Sequence, residues 1–300
     1  MATPLNRPPA SVLAPAPGAR RRRLINRAVE ISCTGAALIA VAVLVLVVVS
    51  VLVKGLSAIN INFLTEGPKI SPFGQNTGGI ANSIVGSAIL IGLATVISVP
   101  IGILIAIYTT EFAPTGVSRV IRFALDILNG VPTIVVGVFM FGVLVVGAQQ
   151  SGWAGAIALA FVELPIVARS SQEVLQLVPR SVHEAALALG VRRWRVVMRI
   201  VLPTAAGGLI TGAVLGVARV AGGTAPLLFT SSIFSNLGLT TNPAQAMPNI
   251  PVSIFTLSES PSPSDHAQAW AAALVLIVFV LLLSVAARTF QERSRLKLSP

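Results

Sequence analysis

The feature that most constrains this chain is a run of more than thirty residues, Gly78–Thr110, without a single charged side chain. About 20 apolar residues span the hydrocarbon core of a bilayer. A run this long, with Pro100 inside it, predicts a kinked or tilted membrane helix or a re-entrant start. Five more apolar runs follow the same logic: Ala28–Val53, Val117–Val146, Trp153–Ala168, Ala205–Thr230 and Ala267–Ala287. Charged residues make up 10% of the chain and mean hydropathy is +0.87, whereas soluble domains carry about 25% charged residues. The expected fold class is therefore all-α, a polytopic membrane protein with six transmembrane helices.

The segments between the runs give the expected organisation. Residues 1–27 hold five prolines before Gly18 and then Arg20, Arg21, Arg22, Arg23 and Arg27, which reads as a disordered basic terminus. The first span, 28–53, is too long for a signal-peptide core and no small-residue cleavage site follows it. An outer loop, 54–77, precedes a five-span core over 78–287. Within that core, 170–203 is a polar, strongly charged segment and 231–266 a Pro-, Ser- and Asn-rich outer loop. Residues 288–300 form a basic tail. Asn129, Gly130 and Pro132 interrupt the third span, and Asp126 is expected to hydrogen-bond near that kink. Cys33 lies in the first span and reads as a buried, inert thiol.

Charge placement orients the chain. Of 21 Lys and Arg, six precede or open the first span. Arg119 and Arg122 lie by the second connection, six lie in the fourth connection and four in the tail. Only Lys54 and Lys69 fall on the other side, with Arg219 inside a span. Basic residues concentrate on the cytoplasmic side, so both termini and segment 170–203 are expected there. The net charge of +11 is then a topology signal with attraction to membrane lipid as a by-product, and no nucleic-acid partner is implied.

Segment 170–203 contains a short helix in the making. Ser181 suits the N-cap with Glu184 at the third helical position. Ala185 to Leu189 are strong helix formers, and Gly190 suits a left-handed C-cap. Two or three turns alone are marginal in water, so the helix needs a partner surface. Trp194, between Arg193 and Arg195, fits the membrane interface.

Glu184-Ala185-Ala186, Gly190 and Ile200-Val201-Leu202-Pro203 match the EAA-x3-G-x9-I-x-LP motif, and here the chain resembles the ABC importer permeases of MetI-like architecture. The likeness extends over roughly 78–229, through Gly130-Val131-Pro132-Thr133 and Leu164-Pro165-Ile166-Val167-Ala168-Arg169. It is closest to PstA-type phosphate permeases, through Arg219, Gly222 and Thr224-Ala225-Pro226-Leu227-Leu228. Gly223 stands where that type has Glu. The resemblance implies that Glu184, Ala185, Ala186 and Gly190 couple to a PstB-like cytoplasmic ATPase dimer. It further implies a PstC-like second permease subunit and a PstS-like external phosphate-binding protein as partners.

Arg219 lies about fifteen residues into its predicted span, near the midplane at about 1.5 Å per residue. A charge there costs at least ~2.5–3.5 kcal/mol, which marks it as functional, and its planar fork fits phosphate oxygens. With Gly223 unable to supply a counter-charge, Glu163 is the preferred partner for Arg219, and Arg219, Gly223, Thr224 and Glu163 form the expected substrate pathway. His183 and His266 read as solvated surface and too few for a metal site. Ser231, Ser232 and the outer loop stay open between a surface for a delivering protein and an uncommitted loop. There is no G-x-x-x-x-G-K-[ST] sequence and no catalytic constellation, so the chain reads as a transport subunit without cofactor, energised by a separate ATPase. Another oxyanion as substrate stays open. An ion-coupled secondary transporter is disfavoured by the absence of an evident inverted repeat.

Overall fold

The computed structural model describes residues 19–69, 78–232 and 240–296, and the described residues are helical with no strand. Residues 1–50 and 51–300 form two compact units. The described part of the first is most of α1, Ala19–Leu56, whose apolar side chains are exposed almost throughout, as those of a lipid-facing helix are. Cys33 shares that exposure. The buried thiol expected from composition is instead on the outside of an apolar helix, where hydrocarbon would surround it. Residues 1–18, 70–77, 233–239 and 297–300, which include the proline-rich start and part of each expected outer loop, lie outside the described residues.

The second unit opens with α2, Ile61–Thr65, capped by Asn60, whose Oδ1 accepts the Phe63 N–H at 2.7 Å. Helix α3, Ala81–Ile107, carries Pro100 within its length and passes without a break into a π-helical turn, Tyr108–Phe112. The third span is broken. Helices α4, Thr115–Gly130, and α5, Thr133–Leu144, meet at 101°. The cause is local: Pro132 drives Val131 into extended geometry, with φ −69° and ψ 128°, so the helix must stop at Gly130.

Helix α6, Gly152–Gln176, is the most buried of the long apolar helices and packs on both α3 and α9. It runs eight residues past the expected end at Ala168, so residues 170–176 continue the helix. Two polar side chains there, Ser170 and Gln172, find partners within the protein, while the buried Ser171 hydroxyl has none. Fully buried Gln172 donates through Nε2 to Thr109 Oγ1 at 2.7 Å, and Ser170 Oγ donates to the Ile166 carbonyl at 2.9 Å.

After α7, Arg180–Ala188, the chain forms α8, Arg193–Val196, a second π-helical turn, Val197–Val201, and α9, Leu202–Ala221. Arg193–Ala221 is one apolar stretch, displaced toward the coupling segment from the expected 205–230. It ends at Gly222-Gly223, after which α10 covers Thr224–Thr230. Segment 240–262 is packed structure, with Met247 and Ile250 fully buried and α11 over Ile250–Glu259. Helix α12, Pro263–Leu296, carries the last span straight through the start of the basic tail. Among the described residues, five helices are long and apolar enough to cross a membrane, or six with α4–α5 taken as one span.

Three glycines set the α6–α9 contact. A Cβ at Gly208 would collide with Val174, one at Gly212 with Ser170, and one at Gly216 would lie 2.9 Å from Val167 Cγ2. Spaced four residues apart, they form one face that lets two backbones approach closely, as small residues do in lipid.

Candidate functional site

Helix α7 starts at Arg180, with Pro179 before it and no side-chain cap. Proline needs no N–H partner and carries a φ already suited to a helix start. This explains why the expected Ser181–Glu184 capping box is missing: Ser181 lies inside the first turn. At the other end Gly190 adopts φ +76° as expected. Its N–H reaches the Leu187 carbonyl at 2.9 Å, and that of Val191 reaches Ala186 at 3.2 Å. This pair of bonds is a Schellman closure.

Burial divides the Glu184-Ala185-Ala186 triplet. Ala186 is the one buried residue of α7 and joins Ala106, Leu175, Val178, Val196 and Val201 in an apolar cluster. Glu184 and Ala185 face outward, with Leu187 and Leu189 exposed nearby. The helix presents a thin ridge with a single anchor beneath it.

Under that ridge lies the π-helical turn at the end of α3. Oε2 of Glu111 is 3.3 Å from Nε2 of His183, an ion-pair distance, without aligned hydrogen-bond geometry. The Arg193 guanidinium sits 5.5 Å from the centre of the adjacent Phe112 ring. Between these elements is a cavity of ≈ 550 Å³ lined by Thr110, Glu111, Arg122, Arg180, His183, Glu184 and Arg193, among others. His183, expected on a solvated surface, thus turns back onto the protein. The pair is 72 residues apart in sequence, and Glu111 carried no signal there beyond ending a span. His266 is exposed as expected, its Nε2 2.6 Å from the Ser260 carbonyl.

Asp126 does not bond at the kink. Its Oδ1 accepts from Arg169 Nε at 2.8 Å, tying α4 to α6. Arg169 also donates to Gln172 at 3.1 Å, and Ser118 donates to the Thr109 carbonyl at 2.9 Å, so α3, α4 and α6 share one polar network at this end.

The expected substrate-pathway residues are only partly brought together. Glu163 is fully buried between α3 and α9. Its Oε1 accepts from Thr95 Oγ1 at 3.4 Å, its Oε2 has no hydrogen bond, and its Cγ lies close against Gly216. Arg219 is exposed in the last turn of α9, three residues before the break at Gly222-Gly223, and makes no ion pair among the described residues. The Glu163–Arg219 pair is therefore not formed, and Arg219 is at a helix end rather than mid-helix. The reason is the break itself, which ends α9 nine residues before Thr230. A cation suits the C-terminal end of a helix. Gly223 precedes α10 and faces Leu159, where a Cβ would stand 3.2 Å from Cδ2. Thr224, half-buried, opens α10. No group of three or more metal-ligating side chains occurs among the described residues.

The coupling ridge, the broken helices and the glycine-lined span contact all fall within the part of the chain that known proteins resemble. A family model described as a binding-protein-dependent transport system inner membrane component matches residues 98–296. The chain belongs to this family. It is thus a multi-pass membrane component of a transport system. Among curated relatives, the phosphate transport system permease protein PstA of Yersinia pestis is 40% identical over 80% of this chain and 81% of that protein. PstA of Xylella fastidiosa strain 9a5c is 41% identical over 92% of this chain and 96% of that protein. Among solved structures, a bacterial alginate ABC transporter chain aligns with TM-score 0.62 at 15% identity over 91% of this permease and 96% of that chain. The MetNI methionine ABC transporter in an inward-facing form aligns with TM-score 0.55 at 18% identity, over 71% and 93% respectively. These two share the fold.

Proposed function

We propose that this chain is a permease subunit of an ATP-driven importer of inorganic phosphate. The observation that carries the substrate is identity of about 40% to PstA phosphate permeases across most of both chains. In this reading the outward ridge of α7, with Glu184 and Ala185 foremost and Gly190 closing the helix, docks on a cytoplasmic PstB-like ATPase dimer. Closure of that dimer on ATP shifts the permease between outward- and inward-facing states, a two-state element biased by nucleotide. Both termini and α7 are cytoplasmic, as the basic residues require. Phosphate arrives from a PstS-like external binding protein and crosses at the interface with a PstC-like second permease.

Arg219 is the residue best suited to meet the anion. It is exposed beside a helix break, and irregular backbone at membrane depth is tolerated where it lines a cavity or is buried in protein. A guanidinium offers a fixed fork to phosphate oxygens. Gly223 and Thr224, at the break itself, complete the route. Glu163 contributes from behind α9 by packing.

The test is purification of the tagged complex, identification of the subunits that accompany the chain, and measurement of which anion stimulates ATP hydrolysis with the binding protein present. Phosphate stimulation with an ATPase and a second permease in the complex is expected. Stimulation by sulfate or tungstate and not by phosphate would assign another oxyanion, and a chain that carries no ATPase would refute the reading.

A further inference from the structure

We infer that Glu111 is a positioning residue for the coupling helix, and that its contact with His183 carries the movement of α7 into the membrane spans. The inference rests on the proposed docking role of α7.

The attachment of α7 to the core is slight. Ala186 is its only buried residue, and an alanine methyl gives cohesion with little directional grip. The Glu111–His183 approach supplies the direction, as an ion pair when His183 is protonated. The Glu111 side chain is 11% exposed and that of His183 21%. Among the described residues His183 is the only ion-pair partner of Glu111 within 4 Å. A largely buried carboxylate that loses its partner is strongly disfavoured. Displacing α7 therefore draws Glu111 along more readily than it separates the two.

Glu111 is also placed to pass the displacement on. It sits in a π-helical turn closed by the Ala113 N–H on the Tyr108 carbonyl at 2.7 Å, and that turn is continuous with α3. Such turns recur at functional sites because they interrupt the regular ladder while keeping the helix intact. Helix α3 packs along α6, so a shift of the turn enters the centre of the unit. The neighbouring Phe112 holds Arg193 at the far end of the coupling segment. Two consecutive residues of one turn thus grip the segment at both ends. The other charged groups facing the same cavity, Arg122, Arg180, Arg193 and Glu184, leave the 3.3 Å Glu111–His183 approach as the carboxylate–imidazole contact joining α7 to the π-helical turn.

The experiment uses the complete complex in liposomes, with its binding protein, ATP and radiolabelled inorganic phosphate, and reads phosphate moved per ATP hydrolysed. Glu111→His and His183→Glu should each lower that ratio about three- to thirtyfold, the range of coupling changes along such contacts. The double exchange should recover a substantial part. A wild-type ratio in both single variants overturns the inference, as does a parallel fall of hydrolysis and uptake with no recovery in the exchange. Where an exchanged variant fails to assemble, Glu111→Gln and His183→Gln keep size and polarity and are read instead: a lowered ratio supports the inference and an unchanged one overturns it. Glu184→Arg separates the two levels. Loss of coupling there with none in the Glu111 variants overturns only this contact, whereas normal uptake in Glu184→Arg overturns the docking role of α7 as well.

Discussion

The side chain of Glu163 lies flat against Gly216: a Cβ on that glycine would stand 3.0 Å from Glu163 Cγ. This is the last rung of the glycine face that also includes Gly208 and Gly212. Gly212→Leu should destabilise the α6–α9 contact by about 1–3 kcal/mol, as overpacking does, and lower the thermal unfolding midpoint of the detergent-purified protein. Gly92→Leu, at an α3 position facing open space, should leave the midpoint nearly unchanged.

Glu163 and Arg219 should behave as independent sites. Arg219→Gln is expected to raise the KM for phosphate about tenfold or more, the loss of a hydrogen bond to a charged group. Combining Glu163→Arg with Arg219→Glu should give no recovery over the single variants, because non-contacting residues add. Recovery of uptake in the double variant would contradict the separation seen here.

The two alanines of the coupling triplet should part company. Ala186→Leu must push α7 off its apolar cluster and should raise protease cleavage within 177–193 in the isolated permease. Ala185→Leu, on the exposed ridge, should leave cleavage unchanged and weaken retention of the ATPase during purification. Equal behaviour of the two would count against the observed facing of α7.

Gly190→Val forces a β-branched residue into φ +76°, at a cost of roughly 1–2 kcal/mol. Coupled ATP hydrolysis should fall while the helical content of the spans, read by circular dichroism, stays the same.

Asp126→Asn removes an ion pair whose side chains are 52% and 31% exposed. Exposed pairs contribute about 0–1 kcal/mol, so the unfolding midpoint should move little and the difference should shrink further at high salt.

The spans and the coupling helix were legible because each follows from local chemistry. Apolar length marks a span, and Gly190 alone predicts the left-handed closure of α7. The errors share a different cause. Residues 170–176 looked too polar to continue the α6 helix because their partners, Thr109 among them, come from a distant part of the chain. Pro179 pre-empted Ser181 at the cap, a contest between two acceptable starts only two residues apart. Asp126 found Arg169 and His183 found Glu111 across folds of the chain that no spacing rule connects. The Arg219–Glu163 pairing failed because the expected span runs on as one continuous helix, whereas the Gly222-Gly223 break ends α9 at Ala221 and leaves Arg219 in its last turn.

The two π-helical turns, Tyr108–Phe112 and Val197–Val201, bracket the coupling segment, one before it and one after. Each holds one residue more than a regular turn, and one residue advances the facing of a helix by about 100°. They therefore act as phase settings. Removing a single residue from the first would swing Glu111 away from α7 while α3 kept every contact it makes further along. Removing one from the second would rotate α9 so that its glycines no longer met α6. Chain length at these two places is a constraint as strict as any side chain in the segment between them.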